Sequence, residues 1–259
     1  MVDIAIWNPI VFNDVKRLLE CKYSGDASFN DTIIVVGYNV ANTSPAAFRN
    51  SHPGKKIIVY NLEQFYPGSR WFNERAIDWF RMADEIWDYD LCNIDFLRYH
   101  GYGNIKYHPM EFCDKLAIDM RAERDIDVLF YGAPTNRRLS AMQKFMGTLQ
   151  YKYACIFGTG ISGHMLEEFL ARTKILVNIH ADERMTRQEQ VRMFIPVSSG
   201  MCVVSETSPV NEFGKSIVEC DLANFTPTLE MLLRTDEWKR VADNARDVYR
   251  QHCENRKYR

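Results

Sequence analysis

Two observations make this chain an α/β protein, and a third divides it in two. Short apolar runs alternate with helical patterns along nearly the whole sequence. The strand candidates are β-branched and apolar on both faces, as buried parallel strands are. One charged stretch, MEFCDKLAIDMRAERDID (110–127), breaks the alternation once. The prediction is two Rossmann-like, doubly wound parallel-sheet domains, residues 1–112 and 113–259, facing each other across a cleft.

In the first half, strands are expected at Ile4–Trp7, Thr32–Gly37, Lys56–Tyr60, Glu85–Trp87 and Ile105–Tyr107. Helical spacing covers 12–22, 73–83 and 91–100. In the second half, strands are expected at Asp127–Tyr131, Tyr153–Phe157, Lys174–Ile179, Met201–Ser205 and Ser216–Val218. Helices fall near 136–149, 163–172, 186–198, 226–234 and 236–252. The last of these either caps the second domain or crosses back over the first.

Bulk properties exclude several classes. With 46% hydrophobic and 25% charged residues, the composition is that of a soluble globular protein. A net charge of −2 gives no general attraction to nucleic acid or anionic membrane. No apolar run reaches the roughly 20 residues that cross a bilayer, and the opening VDIAIW reads as a strand, so the cytoplasm is the expected compartment. The seven scattered cysteines contain no CxxC pair and fit neither a disulfide framework nor a zinc site. Cys155 and Cys202, inside strand patterns, read as small core residues.

Open α/β sheets bind ligands beyond the C-terminal ends of their strands, so candidate site residues are sought there. DIDVLFYGAPTNRR ends a strand at Gly132, where a missing side chain would let backbone approach a ligand. Asn136, Arg137 and Arg138 follow at a helix N-terminus, where backbone donors and guanidinium groups both suit phosphate. KILVNIH carries a strand to His180. Glu189 and Arg192, three apart, share a helix face, and the next strand delivers Glu206. In the first half, Asn61, Glu63 and Gln64 end one strand, and Asp88 and Asp90 end another with Asn93 beyond. Glu63 or Asp90 could serve as general base, although Asp90 and Asn93 also suit a helix cap.

Gly158, Gly160 and Gly163 form a literal GxGxxG, with Asp182 and Glu183 about 20 residues on, as a nicotinamide-binding fingerprint asks. The motif follows the second strand of its domain, not the first. A tight turn near a ligand is the better reading of Gly160.

Taken in order, IIVYNLEQ (57–64), ADEIWDYDLCN (83–93), DIDVLFYGAPTNRR (125–138), KILVNIH (174–180) and EQVRMFIPVSSGMCVVSE (189–206) resemble small GT-B-fold glycosyltransferases. That resemblance implies a nucleoside-diphosphate sugar, UDP- or GDP-linked, as donor substrate, with no tightly bound cofactor and no metal. By the resemblance, Gly132, Asn136, Arg137 and Arg138 approach the diphosphate and His180 the sugar–phosphate end. Glu189 and Arg192 surround the nucleotide, and Glu206 is a candidate ribose partner. The E-x7-E glutamate pair of many such enzymes is missing, since its second position falls near Ile195. The ribose assignment and the stereochemistry of transfer therefore stay open. Asp88-Tyr89-Asp90 spells a DxD motif but lies in the wrong domain for a GT-B donor site. The acceptor is a glycan or small saccharide, or a hydroxymethylated pyrimidine in DNA, as in compact phage enzymes of this fold. A nucleotide-sugar epimerase or hydrolase, a binding module and an NAD-dependent oxidoreductase are the competing readings.

Overall fold

The computed structural model describes residues 2–256, apart from the Met146 side chain. The end of the basic terminus, Lys257 to Arg259, lies outside the described residues. The chain divides into two compact units, the first ending at Met110 and the second beginning at Glu111.

The first unit is a five-stranded parallel sheet of β1 (Asp3–Ile6), β2 (Thr32–Val36), β3 (Lys56–Asn61), β4 (Glu85–Asp88) and β5 (Ile105–Tyr107), in that spatial order. β2 and β4 are buried along their whole length, as strands covered on both faces must be. The order never reverses. Helices α2 (Pro45–Ser51), α3 (Glu74–Met82) and α4 (Leu91–Tyr99) share one face of the sheet. Their Phe48, Trp79, Phe80 and Leu97 pack there with Ile33, Val35, Ile57, Val59 and Ile86. Trp87 alternates with Ile86 and so faces the other way, where it stacks on His108 at 4.2 Å and meets Tyr23 at the end of α1 (Pro9–Tyr23).

Two of these helices start on proline. Pro9 opens α1 three residues before the expected start. The seven-residue α2, too short to show a helical period, was not expected at all. Its signal is Ser44-Pro45: Ser44 accepts the Ala47 N–H at 3.2 Å, and Pro45 needs no N–H at the first helical position.

The second unit contains β6 (Ile126–Tyr131), β7 (Cys155–Gly158), β8 (Thr173–Asn178), β9 (Cys202–Glu206) and β10 (Val218–Cys220) in the order β10-β9-β8-β6-β7. All are parallel. Here the order does reverse: the chain steps from β6 outward to β7, returns to β8, and continues the other way. Helices α5 (Asn136–Leu149), α8 (Phe225–Arg234) and α9 (Glu237–Arg256) share one core with β6, β8 and β9. α9 is a helix of the second unit: Trp238 and Ala242 enter that core, and Tyr249 packs on Phe213 at 4.9 Å. The remaining helices are α6 (Gly163–Ala171) and α7 (Gln190–Ser198). All seven cysteines are free. Burial pushes the Cys155 thiol up to about 11 and the Cys202 thiol up to about 12, which makes both poor nucleophiles.

Candidate functional site

In the second unit, a strand order of this kind leaves a crevice beyond the C-terminal ends of the two strands that flank the reversal. Those strands are β6 and β8. β6 ends in Tyr131-Gly132 and turns into α5, where the Thr135 hydroxyl accepts the Arg138 N–H at 3.4 Å. That hydroxyl also donates to the Ala181 carbonyl at 2.6 Å, tying the turn to the segment after β8.

Three arginines converge here. Arg137 forms a two-pronged pair with Glu206, one arm at 2.7 Å, and reaches the His180 carbonyl at 3.2 Å. Arg138, 2% exposed, donates to the Ile179 carbonyl at 2.9 Å and pairs with Glu189. Arg192 pairs with the other Glu189 oxygen at 2.6 Å and donates to Asn178 Oδ1 at 2.8 Å. The Arg138 and Arg192 guanidinium groups both lie against the Phe130 ring, at 5.6 and 5.4 Å from its centroid. Three guanidinium groups thus meet beside the N-terminus of α5, held by Glu206 and Glu189, with the Asp182 and Glu183 charges also acting on Arg137. Such a place suits an anion.

Each charge is tuned by its neighbours. Burial would raise the Glu206 carboxyl, yet the Arg137 guanidinium and the His180 N–H, at 2.8 Å, hold it below the usual range. Donating to Glu206 raises Arg137 in turn. Burial lowers Arg138 from its ordinary value, against the pull of Glu189. Glu206 already accepts three hydrogen bonds, out of about four that a carboxylate can take.

Gly132 makes room for a side chain of the protein itself. Its φ is 145°, and a Cβ there would stand 2.5 Å from Arg192 Nη2. The space left by the missing side chain is filled by Arg192. Asn136 is exposed at the first position of α5. Gly160 lies in an exposed turn after β7, an edge strand, so the glycine triplet is one strand away from the reversal. His180 is 2% exposed, and its Nε2 lies 3.1 Å from the Thr207 carbonyl. That contact makes Nε2 a donor, and Nδ1 is buried without a hydrogen-bond partner.

Sequence reasoning missed two members of this cluster: Tyr131 and Asn178. Tyr131 Oη donates to the Arg192 carbonyl at 2.9 Å. The residue four on from that carbonyl, its usual helical partner, is Pro196, which has no N–H. Asn178 carried a readable signal, a polar residue closing an apolar strand. Asn61 closes β3 in the same way.

In the first unit, Glu63 is half-buried beyond β3 and accepts from Asn39 Nδ2 at 2.9 Å. Asp90 is 3% exposed and caps α4, its Oδ1 accepting the Asn93 N–H at 3.0 Å. Among the described residues, no three His, Cys, Asp or Glu side chains are grouped as a metal ion would need. No helix among them is long and apolar enough to cross a membrane.

No protein-family model and no curated protein matches the chain. Solved structures do. The Anabaena HepE protein, in complex with UDP and glucose, has a TM-score of 0.60 at 10% identity over 93% of this chain and 79% of its own. TarM, known also as an S. aureus variant in complex with UDP, has a TM-score of 0.57 at 11% identity over 91% of this chain. This chain spans only 55% of TarM. A sucrose-phosphate synthase from Thermosynechococcus elongatus has a TM-score of 0.54 at 11% identity, covering 96% of this chain and 76% of that one. At such identities the likeness is one of fold: the two parallel-sheet α/β units are those of the GT-B architecture.

Proposed function

We propose that the protein is a glycosyltransferase that moves a sugar from a nucleoside-diphosphate sugar to an acceptor hydroxyl. The observation that carries this reading is the convergence of Arg137, Arg138 and Arg192 at the sheet reversal, beside the N-terminus of α5. The fold likeness to HepE and TarM, both solved in complex with UDP, makes a UDP-sugar the first donor to try.

In this reading the acceptor oxygen bonds to the anomeric carbon as the bond from that carbon to the diphosphate oxygen breaks. The leaving diphosphate keeps the electron pair. Arg137, Arg138 and the α5 N-terminus stabilise its charge, as fixed dipoles and cations do best when no reorganisation is needed. The acceptor proton passes to Glu63 and then to solvent. His180 accepts a hydroxyl of the donor on Nδ1. Glu206 holds Arg137 and the His180 backbone, Glu189 orients the other two arginines, and Asp90 serves as cap. Asn136, at the start of α5, faces the diphosphate with its backbone. The acceptor is a saccharide: a net charge of −2 opposes a polyanion, which puts a DNA base second.

The test is titration with UDP, GDP, CMP, ADP and dTDP, followed by their sugars. Arg137, the most exposed of the three arginines, gives the cleanest variant. Arg137→Ala is expected to weaken binding of the preferred diphosphate by about 10- to 100-fold, the range of a charge-assisted hydrogen bond. Unchanged affinity would sink the phosphate assignment. Turnover is expected to survive EDTA, and loss of turnover in EDTA overturns the metal-free reading. Products from donor alone separate transfer from epimerisation.

A further inference from the structure

The first unit buries a carboxylate among neutral partners. Asp88, the last residue of β4, is 0% exposed, and its hydrogen bonds come from two asparagines and a backbone N–H. Burying an ion without a counter-ion is unfavourable, so its partners should show what it is for. Burial pushes this carboxyl well above the usual range, while Asn61, the Asp90 N–H and Asn93 oppose that rise.

Both asparagines lead to one peptide. Asn61 Nδ2 donates to Asp88 Oδ2 at 2.7 Å and to the Glu63 carbonyl at 2.9 Å. Asn93 Nδ2 donates to Asp88 Oδ1 at 3.0 Å and to the same Glu63 carbonyl at 2.7 Å. Their oxygens complete the grip. Asn61 Oδ1 accepts the Glu63 N–H at 3.2 Å and the Tyr38 hydroxyl at 2.8 Å, and Asn93 Oδ1 accepts the Phe65 N–H at 2.8 Å. The Glu63 backbone is thus fixed at its N–H and twice at its carbonyl. Asp88 decides which way both amides face, because only an acceptor at this point lets each Nδ2 turn toward it.

We infer that Asp88, acting through Asn61 and Asn93, is the positioning residue that presents Glu63 to an acceptor hydroxyl. The inference rests on the sugar-transfer reading. A loop needing only to turn could be held by backbone bonds and a proline. A fully satisfied buried polar network specifies one backbone geometry, which is what a base must have to stay within reach of a proton. Asp88 touches no substrate in this account.

The test compares the full-length wild type with Asp88→Asn, Tyr38→Phe and Glu63→Gln. Asp88→Asn is isosteric but sets an NH2 group against the donors that Asp88 now accepts. Tyr38→Phe removes one hydroxyl from the same network and keeps the test open if Asp88→Asn does not fold. The readouts are amide exchange at Glu63 and Phe65, UDP affinity, and UDP or GDP release. Release is measured from UDP-glucose, UDP-N-acetylglucosamine and GDP-mannose against a panel of free monosaccharides. Asp88→Asn is expected to speed exchange at those two amides and lower kcat by about 10- to 100-fold, with UDP affinity unchanged. Glu63→Gln is expected to lower kcat by about 100-fold or more without altering the exchange. Tyr38→Phe should fall between wild type and Asp88→Asn in both. Unaltered kcat in Asp88→Asn and Tyr38→Phe, with Glu63→Gln impaired, overturns the role of Asp88 and leaves the base in place. Unaltered kcat in Glu63→Gln removes the base and the inference with it. A wild type that binds UDP but releases nothing from any of the donors overturns the transfer reading itself.

Discussion

Gly132 shows how one missing side chain can organise a charged cluster. Its φ of 145° is nearly closed to other residues, and Arg192 Nη2 occupies the place where a Cβ would go. Gly132→Ala should therefore destabilise the second unit by about 1–3 kcal/mol, the usual cost of a strained backbone position. It should also displace Arg192 from Asn178 and weaken nucleoside-diphosphate binding. Urea unfolding and calorimetric titration would measure both, and unaltered unfolding would show that the turn relaxes freely. The sequence singled out Gly132 for the approach of a ligand, and the structure sets Arg192 beside it. A glycine closing an apolar strand is visible in one dimension, whereas the approach of a guanidinium from 60 residues downstream is not. The arginine turn itself was legible because helix-start chemistry is local. The paired state of those arginines was not, since Glu189 and Glu206 reach them only through the sheet.

At the scale of the element, α7 is a nine-residue helix with a proline near its end, and the defect that this makes is used. Pro196 cannot bond to the Arg192 carbonyl, so Tyr131 on β6 does, and helix and strand are joined where Arg192 emerges. Tyr131→Phe is expected to cost about 1 kcal/mol, a typical net hydrogen bond, and to reduce nucleotide affinity a few-fold. Pro196→Ala restores the helical N–H and gives the carbonyl a partner within α7. In that background Tyr131→Phe should cost less, so the two changes should be coupled in a double-mutant cycle. Strict additivity would show that the hydroxyl is not replacing the helical bond. Most elements were legible from period and apolarity, and the misses have physical causes. α2 is shorter than the window in which a helical period can be seen, so only its Ser-Pro start could have revealed it. The helix expected from 186 begins at Gln190 instead, because Gln188 is drawn into hydrogen bonds with Asn211 and Glu219.

For the whole molecule, strand order was the least legible feature, because long-range pairing leaves no local trace. The two halves look alike in sequence, yet one sheet runs in unbroken order and the other reverses. The reversal puts the arginine cluster at the ends of β6 and β8 in the second unit. The first unit offers instead a row of strand ends carrying Glu63 and the buried Asp88. The back of that first sheet carries a group whose titration should make the protein sensitive to acid. His108 is stacked on Trp87, and its Nε2 is 2.7 Å from the Tyr23 hydroxyl. Burial, helped by the nearby Lys22 charge, lowers this imidazole from 6.5 to about 3. Between those values the unfolded chain holds a proton that the folded one refuses, so stability must fall as pH falls. The contribution of His108 is complete above about pH 6.5 and is lost progressively toward pH 3, by at most roughly 1.4 kcal/mol per pH unit. Asp88 works in the opposite sense, since a raised carboxyl favours the folded state as protons are added. Urea unfolding at pH 7.5, 6.5, 5.5 and 4.5 should show a decline that His108→Gln flattens, because the glutamine amide has no proton to gain. An equal decline in His108→Gln would assign the acid sensitivity to other groups, and a profile with no decline would mean that the imidazole is protonated without unfolding the first unit.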